Sequence, residues 1–467
     1  MLVARSPPQQ KLCWLKALLS VPNKPEPAKK LVDSLQAFVQ WQSILAWLKD
    51  PPASYILLAT DIVGRLTNIS ATSAAGGFKS EYDFQLAIFQ TFKSAHDGHF
   101  ACRPDVFKAF GFRDTLASNI VSVSLDGMAV PKLYHLADLN GTATSPITKR
   151  VSGPDSQWNS TFPTYATPGA ALTVAASLAF QGPSVTLCYD NGQEKTEESF
   201  TVSRVGAGFS GIGTGDDFYD RFCDPEAAVA STSVVTAPVP TTSTSTSPAL
   251  VSPTIQGYPV PVIRDSGSDW MSGYFLNGTA YDDVAVLAVS VLSIENFLSQ
   301  SKAAGKQRLL IDLTANGGGF VIAGYELFSQ LSPDVEKFQA KNLRLADSIV
   351  NIVRIVDLIP ANFTATTPAQ QTAIQSLLNS AIVSNLIPGG VFKPEGAQFP
   401  TVEEILAPVS LQGDLFTAYQ AKPLNETAAD FSMTGTGTRA SPPPAVFAPE
   451  NAVLLTDGIC GSTCTLV

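Results

Sequence analysis

Residues 308–328 read RLLIDLTANGGGFVIAGYELF, and this stretch decides the fold. It opens with an apolar run that predicts a buried strand, and the glycines that follow predict a turn. The apolar residues from Phe320 to Leu331 predict a helix. An apolar, β-branched run at 284–292 and a helical pattern at 293–302 precede this stretch. Strand, helix and strand within ~30 residues predict a parallel pair joined by a right-handed crossover.

The glycine turn, Asn316-Gly317-Gly318-Gly319, is a candidate oxyanion site. Three glycines after a buried strand let backbone N–H groups point at one spot, which suits a developing negative charge. A simple tight turn before a helix is the alternative. The segment has neither the Gly-Lys-Ser/Thr of a phosphate loop nor the GxGxxG of a dinucleotide site. We therefore expect no cofactor.

The last stretch, residues 451–467, reads NAVLLTDGICGSTCTLV and contains a candidate nucleophile. Residues 452–455 predict a buried strand, Asp457-Gly458 a turn, and Ser462 the start of a helix. A hydroxyl at such a turn lies near free backbone N–H groups, as a nucleophilic serine requires. The flanking Cys460 and Cys464 depart from the esterase pattern GxSxG, and a thiol nucleophile is an open alternative.

Only three histidines occur, at positions 96, 99 and 135. His99 follows a predicted helix, Glu81 to Ala95, and a helix C-terminus favours the protonated imidazole that a general base must form. A structural role, or a metal pair with His96, is the alternative, although no further histidine completes a metal site. His135 falls in a predicted strand, where a packed or surface role is expected. Sequence alone leaves open whether His99 reaches Ser462, because 462 − 99 = 363 residues separate them.

The sequence pattern divides the rest of the chain into regions. Two helices are predicted in the N-terminal region, and we expect their aromatic side chains to pack. The first carries Leu31, Leu35, Phe38, Leu45 and Leu48 and ends before Pro51-Pro52; the second carries Tyr82, Leu86, Phe89 and Phe92. Between about 112 and 225, two hairpin signals, Ile120–Gly127 and Val185–Gly192, predict a β-rich domain. A Ser/Thr/Pro-rich linker at 230–254, a helix near 368–383 and a loop at 433–444 complete the prediction.

The composition describes a globular, acidic chain. It has 467 residues, 45% of them apolar, and a formal net charge of −10. This balance gives no attraction for nucleic acid or an anionic membrane, and no apolar run reaches the ~18 residues of a membrane helix. Six N-glycosylation sequons and the Ser/Thr/Pro tract favour secretion, although the first 25 residues do not form a convincing signal peptide. Six cysteines allow three disulfides, and buried free thiols are the alternative.

Three of these segments, in this order, resemble the tail-specific (C-terminal-processing) serine protease family. The similarity is greatest to the branch of the chlamydial protease-like activity factor and its secreted fungal relatives. The segments are KSEYDFQLAIFQTFKSAHDGHF, RLLIDLTANGGGFVIAGYELF and NAVLLTDGICGSTCTLV. The resemblance implies an α/β, multidomain (α+β) fold. It would comprise a helical N-terminal region with the histidine segment (1–110), a β-rich PDZ-like domain (111–229), the linker with its lead-in (230–281), and a crotonase-like ββα protease domain (282–467).

The same resemblance implies the roles of the site residues. Ser462 would be the nucleophile and His99 the general base, while backbone N–H groups of Gly318, Gly319 and Thr463 would form the oxyanion hole. Polypeptides would be the substrates. The branch uses Ser-His-Glu and other members Ser-Lys, with the third group or the lysine downstream of the serine. The sequence stops five residues after Ser462, so we expect an incomplete form of a secreted endopeptidase.

Two other functions stay open at this point. A non-catalytic protein could bind extended peptides by adding them as a strand to the PDZ-like domain. A crotonase-like enzyme acting on thioesters is the third reading, but its chemistry does not need the serine and histidine. Protein substrate, cleavage preference, oligomeric state and disulfide pairing are not encoded in any motif of the sequence.

Overall fold

The computed structural model describes most of the chain between residues 15 and 456. The described residues are 15–55, 57–97, 99–113, 120–124, 129–135, 147–149, 176–177, 179–180, 184–203, 209, 211–224, 258–264, 271–289, 294–314, 316, 321–336, 338, 340–359, 363–378, 380, 385–421, 442 and 444–456.

Helices dominate the N-terminal region and recur later in the chain. Their bounds are Pro25–Val39, Leu45–Lys49, Ile62–Ala74, Glu81–Lys93, Val106–Ala109, Gly215–Phe222, Glu295–Ala303, Val321–Leu331, Asp347–Asp357, Pro368–Leu378 and Val402–Ile405. Local chemistry fixes several of their starts. At one helix the Thr214 hydroxyl accepts from Asp217 N–H while the Asp217 carboxylate accepts from Thr214 N–H, a reciprocal capping box.

Fifteen strands form four sheets among the described residues. The strands are β1 Phe110–Arg113, β2 Ile120–Val123, β3 Lys132–His135, β4 Ile147–Lys149, β5 Ala176–Ser177, β6 Ser184–Tyr189, β7 Glu194–Glu198, β8 Phe200–Ser203, β9 Ile263–Arg264, β10 Met271–Phe275, β11 Val284–Val289, β12 Arg308–Asp312, β13 Val409–Leu411, β14 Asp414–Phe416 and β15 Ala452–Leu455. The sheet orders are β5-β1-β8, β15-β12-β11-β10-β9, β13-β14 and β2-β3-β4-β6-β7.

The chain forms two compact units, each discontinuous in sequence. The first combines residues 1–110, 203–233 and 338–423. Its N-terminal helices bury an apolar core that includes Val32, Leu66, Phe84 and Ile88. Arg344 donates two hydrogen bonds to the Asp414 carboxylate, at 2.8 and 2.9 Å, and also donates to the Gln40 carbonyl. The bidentate contact joins two segments of the late part of the unit, and the bond to Gln40 ties them to the end of the first helix.

The second unit contains the sheet that the sequence predicts around residue 310. It combines residues 111–202, 234–337 and 424–467. Strand β12 lies between β11 and β15 and is parallel to both, while β10 and β9 are antiparallel additions. Phe297, Leu298 and Leu309 are buried against the sheet strands. No helix among the described residues has both the length and the apolar character needed to span a bilayer.

The structure confirms most of the predicted elements. Both predicted hairpins are present, as the antiparallel pairs β2–β3 and β6–β7, and the parallel pair β11–β12 brackets the predicted helix, observed as Glu295–Ala303. The second N-terminal helix and the helices at 321–331 and 368–378 are also present. The linker at 230–254 and most of the loop at 433–444 lie outside the described residues.

Three expectations about helices and burial were wrong or incomplete. The first helix buries Ala28, Val32 and Val39, whereas Phe38, expected to pack, is 65% exposed. The predicted helix is also broken in two, as Pro25–Val39 and Leu45–Lys49, although Leu45 and Leu48 are buried as predicted. Strand β15, predicted to be buried, is exposed along its length, and it lies at the sheet edge with β12 as its only paired strand among the described residues. The helices Ile62–Ala74 and Gly215–Phe222 were not predicted.

The packing of Gly273 yields a test of the second unit. A Cβ added at this position in β10 would lie 2.2 Å from the buried Phe297 ring and 2.7 Å from Ile263. We expect Gly273→Ala to lower the free energy of unfolding by about 1–3 kcal/mol, the usual cost of overpacking a core. Chemical denaturation measures this. Gly213→Ala is the control, because its nearest neighbour would lie at 3.7 Å; equal stability of the two variants would contradict the packing.

A buried carboxylate gives the first unit a pH-dependent stability. Glu81 is 4% exposed and accepts hydrogen bonds from Asn23 at 2.8 Å and from Gln85 at 2.6 Å. Burial raises the pKa of Glu81 above its ordinary value, and the two amide hydrogen bonds lower it by less. The Glu81 contribution to stability is therefore present at low pH and is lost as the pH rises through its folded-state pKa.

We expect Glu81→Gln to gain stability over the parent protein as the pH rises from 4 to 7. The new amide retains an acceptor for Gln85, and a flipped Asn23 side chain, whose Oδ1 makes no other hydrogen bond, can accept from the new NH₂ group. Urea denaturation at several pH values measures the difference. Glu403→Gln is a control of opposite sign, since hydrogen bonding to Arg354 lowers the Glu403 pKa. A flat difference for Glu81→Gln would contradict the prediction.

Candidate active site

The carboxyl ends of β12 and β15 lie side by side in the second unit. Asp312 is the register partner of Leu455, and the Leu313 N–H donates to the Leu455 carbonyl at 2.9 Å. The glycine turn leaves from the first of these strand ends and the serine segment from the second. Neighbouring strands are ~4.8 Å apart, so two segments that are distant in sequence start from adjacent points.

A buried carboxylate occupies this edge. Asp312 is 6% exposed, and both of its oxygens accept hydrogen bonds. Tyr258 Oη donates to Oδ2 at 2.5 Å, while the Thr314 N–H and hydroxyl donate to Oδ1 at 3.0 and 2.7 Å. Because Thr314 lies two residues beyond Asp312, these bonds fold the backbone back on the strand end. The Asn316 N–H, donating to the Leu313 carbonyl at 3.1 Å, closes the turn that follows.

A second tyrosine lies beneath this cluster. Tyr274 is 2% exposed, and its ring centroid lies 5.5 Å from that of Tyr258. Burial raises the pKa of Tyr274 above its ordinary value; a hydrogen bond with Ser272 and the Arg264 charge lower it by less, and the Asp312 charge adds a smaller increase. Tyr274 therefore stays neutral at physiological pH and supports the Tyr258 ring as an apolar surface.

His99 belongs to the first unit, where it follows the helix Glu81–Lys93. Its side chain is 77% exposed, and Nδ1 lies 3.7 Å from Asp97 Oδ1. The same oxygen accepts the His99 backbone N–H at 2.8 Å, and Asp97 Oδ2 accepts from Gln42 at 2.9 Å. Asp97 thus fixes the backbone that carries the imidazole while leaving the ring accessible to solvent. Between helix and His99, His96 adopts a left-handed conformation with φ 53°.

The structure describes one of the five predicted site residues. Gly318, Gly319, Ser462 and Thr463 lie outside the described residues, so their roles stay predictions. Sequence reasoning missed Asp97 and Asp312, although each is an acidic residue inside a segment already singled out. Tyr258 carried no such signal, since 54 residues separate it from Asp312.

The remaining candidates from the sequence have other surroundings. His135 is buried in β3, in agreement with a packed role. Cys102 and Cys223 have free thiols, and burial raises the pKa of both, which keeps them protonated. In the part of the chain that the structure covers, no three His, Cys, Asp or Glu side chains form a group that could hold a metal ion.

Comparisons with known proteins give sequence relatives. No protein-family model matches the chain. The chain is 24% identical to the peptidase S41 family protein phomP1' of Diaporthe leptostromiformis, over 90% of this chain and 67% of the relative. It is 27% identical to the peptidase S41 family protein ustP of Aspergillus flavus over 45% of each protein. The solved structure of mature CPAF complexed with lactacystin aligns with a TM-score of 0.37 at 14% identity, covering 75% of this chain and 67% of that one.

The first of these alignments covers 90% of this chain. The two relatives come from different fungi and carry the same family name. The chain is therefore similar in sequence, at 24–27% identity, to fungal proteins named as peptidase S41 family proteins.

Proposed function

We propose that the protein is a serine endopeptidase that hydrolyses polypeptides through an acyl-enzyme. Ser462 is the nucleophile and His99 the general base. Backbone N–H groups of Gly318, Gly319 and Thr463 bind the oxyanion. The sequence relationship to S41 peptidases supports the reaction class, and the order of the three segments along the chain supports the assignment of residues.

One observation carries this proposal most directly: the paired carboxyl ends of β12 and β15. Gly318 lies six residues beyond Asp312 (318 − 312), and Ser462 lies seven beyond Leu455 (462 − 455). Sites in open α/β sheets lie outside the carboxyl ends of the strands. A nucleophile and an oxyanion turn that leave from adjacent strand ends need only short connections to reach a common substrate carbonyl.

His99 is suited to its role by exposure and by a fixed backbone. An exposed imidazole exchanges protons freely, and the Asp97 anchor limits the positions that the ring can take. In the reaction, Ser462 Oγ attacks the peptide carbonyl carbon as His99 accepts its proton. The tetrahedral oxyanion is held by the backbone N–H groups. His99 then protonates the leaving amine, and water cleaves the resulting ester by the same route.

The finer features of the resemblance belong to the same proposal. The domain boundaries at 110, 229 and 281, the PDZ-like and crotonase-like folds, and the extracellular location come from the family likeness. Two sequon asparagines in the described residues, Asn68 and Asn277, are exposed. Asn277 lies in the turn between β10 and β11, next to Gly278 with φ 120°, where an acceptor side chain is accessible.

We expect a fluorophosphonate probe to label the protein at Ser462, and mass spectrometry of the labelled peptide identifies the site. Ser462→Ala removes the nucleophile and abolishes labelling. His99→Ala removes the base and lowers the labelling rate by roughly 10²-fold or more. His96→Asn is the matched control, because asparagine tolerates the left-handed backbone and the proposal gives His96 no role. A folded protein that stays unlabelled would reject the peptidase and favour a peptide-binding role.

We also expect the protein isolated from its native source to lose mass on treatment with an N-glycosidase. Replacing Asn277 by Gln removes one glycan and should shift the mass of the untreated protein by one glycan unit. Asn191→Gln serves as the control, because Asn191 lies in a comparable turn but begins no sequon. An unchanged mass after enzyme treatment would argue against secretion.

A further inference from the structure

We propose that Asp312 is a positioning residue of the oxyanion site. With Tyr258 and Thr314 it fixes the direction in which the backbone leaves β12 and enters the glycine turn. This role deepens the proposed peptidase function and rests on it. Asp312 touches no reacting atom in this assignment, and its effect is exerted through the backbone that follows it.

The hydrogen bonds of Asp312 all hold groups that surround the end of β12. Its donors are neutral: one phenol from a residue 54 positions earlier, and one backbone N–H and one hydroxyl from Thr314. An acidic group is costly to bury without partners, and here the partners lie on both sides of the strand end. The carboxylate therefore joins the loop before β9 to the turn after β12.

Three hydrogen bonds hold the backbone that follows β12. Tyr258, in the loop before β9, donates to Asp312. The Leu313 N–H donates to the carbonyl of Leu455, which ends β15. The Leu313 carbonyl in turn accepts Asn316 N–H, and Asn316 is 1% exposed. These hydrogen bonds restrict residues 312–314 and 316, and the proposed oxyanion donors follow them in sequence; preorganised donors require such a restriction.

Thr314 offers the sharpest variant, because one atom of its side chain makes the contact. Thr314→Val keeps the shape and removes the hydroxyl donor, while Thr314→Ser keeps the hydroxyl and loses only a methyl group. In peptide hydrolysis by the full chain, we expect Thr314→Val to lower kcat roughly 10-fold or more, with KM changed less than about twofold. We expect Thr314→Ser to restore kcat to within about threefold of the parent.

Tyr258→Phe and Asp283→Asn complete the set. The first removes the phenol donor at the same carboxylate and should lower kcat as Thr314→Val does. The second breaks the exposed ion pair of Asp283 with Arg308 at the opposite end of β12 and should leave kcat unchanged. A general loss of sheet stability would affect both, whereas a positioning role separates them.

Hydrogen exchange of peptide 309–320 gives a readout that does not depend on activity. We expect faster exchange in Thr314→Val and Tyr258→Phe than in the parent, Thr314→Ser and Asp283→Asn. Faster exchange together with a lower kcat supports the role. Faster exchange with kcat unchanged, or unchanged exchange, would overturn it and leave the peptidase intact. A parent protein that the fluorophosphonate does not label would overturn the proposed function, and this role with it.

Discussion

The second unit depends on the parallel pairing of β12 with the strands on either side of it. Asp312 faces Ala288 in β11 and Leu455 in β15, so the register of this one strand aligns three strand ends. The apolar residues between them exclude water from the backbone hydrogen bonds. A slip of one residue would turn Leu309 and Ile311 out of the core and move Asp312 away from Tyr258.

The pairing of β12 places the buried Asp312 carboxylate beside the ends of its two neighbouring strands. A charged side chain at a strand end is ordinary when exposed, but Asp312 is enclosed and held by three hydrogen bonds. His99 stands in contrast, because its ring is exposed and only its backbone is anchored, through Asp97. The Asp312 carboxylate is thus enclosed, whereas the His99 imidazole is open to solvent, which suits a group proposed to accept and then return a proton.

The sequence predicted the positions of helices and strands better than the burial and contacts of their residues. Apolar periodicity located β11, β12 and the helices around them, because local pattern and tertiary role agree in a parallel sheet. It failed for Phe38 and for β15, since burial there is decided by which face packs and by sheet order, and a single sequence encodes neither visibly. The glycine turn and the serine segment were recognisable as motifs, whereas Tyr258 became visible only through its contact with Asp312.

The discontinuity of the first unit has a consequence for biosynthesis. Arg344, which is paired with Asp414, donates to the Gln40 carbonyl, and Trp41 donates to the Ser348 hydroxyl at 2.9 Å. The N-terminal helices therefore leave the ribosome some 300 residues before these partners are made. Contacts so far apart in sequence form slowly, and the waiting helices expose apolar surface meanwhile. We therefore expect chaperones to bind the nascent chain during synthesis.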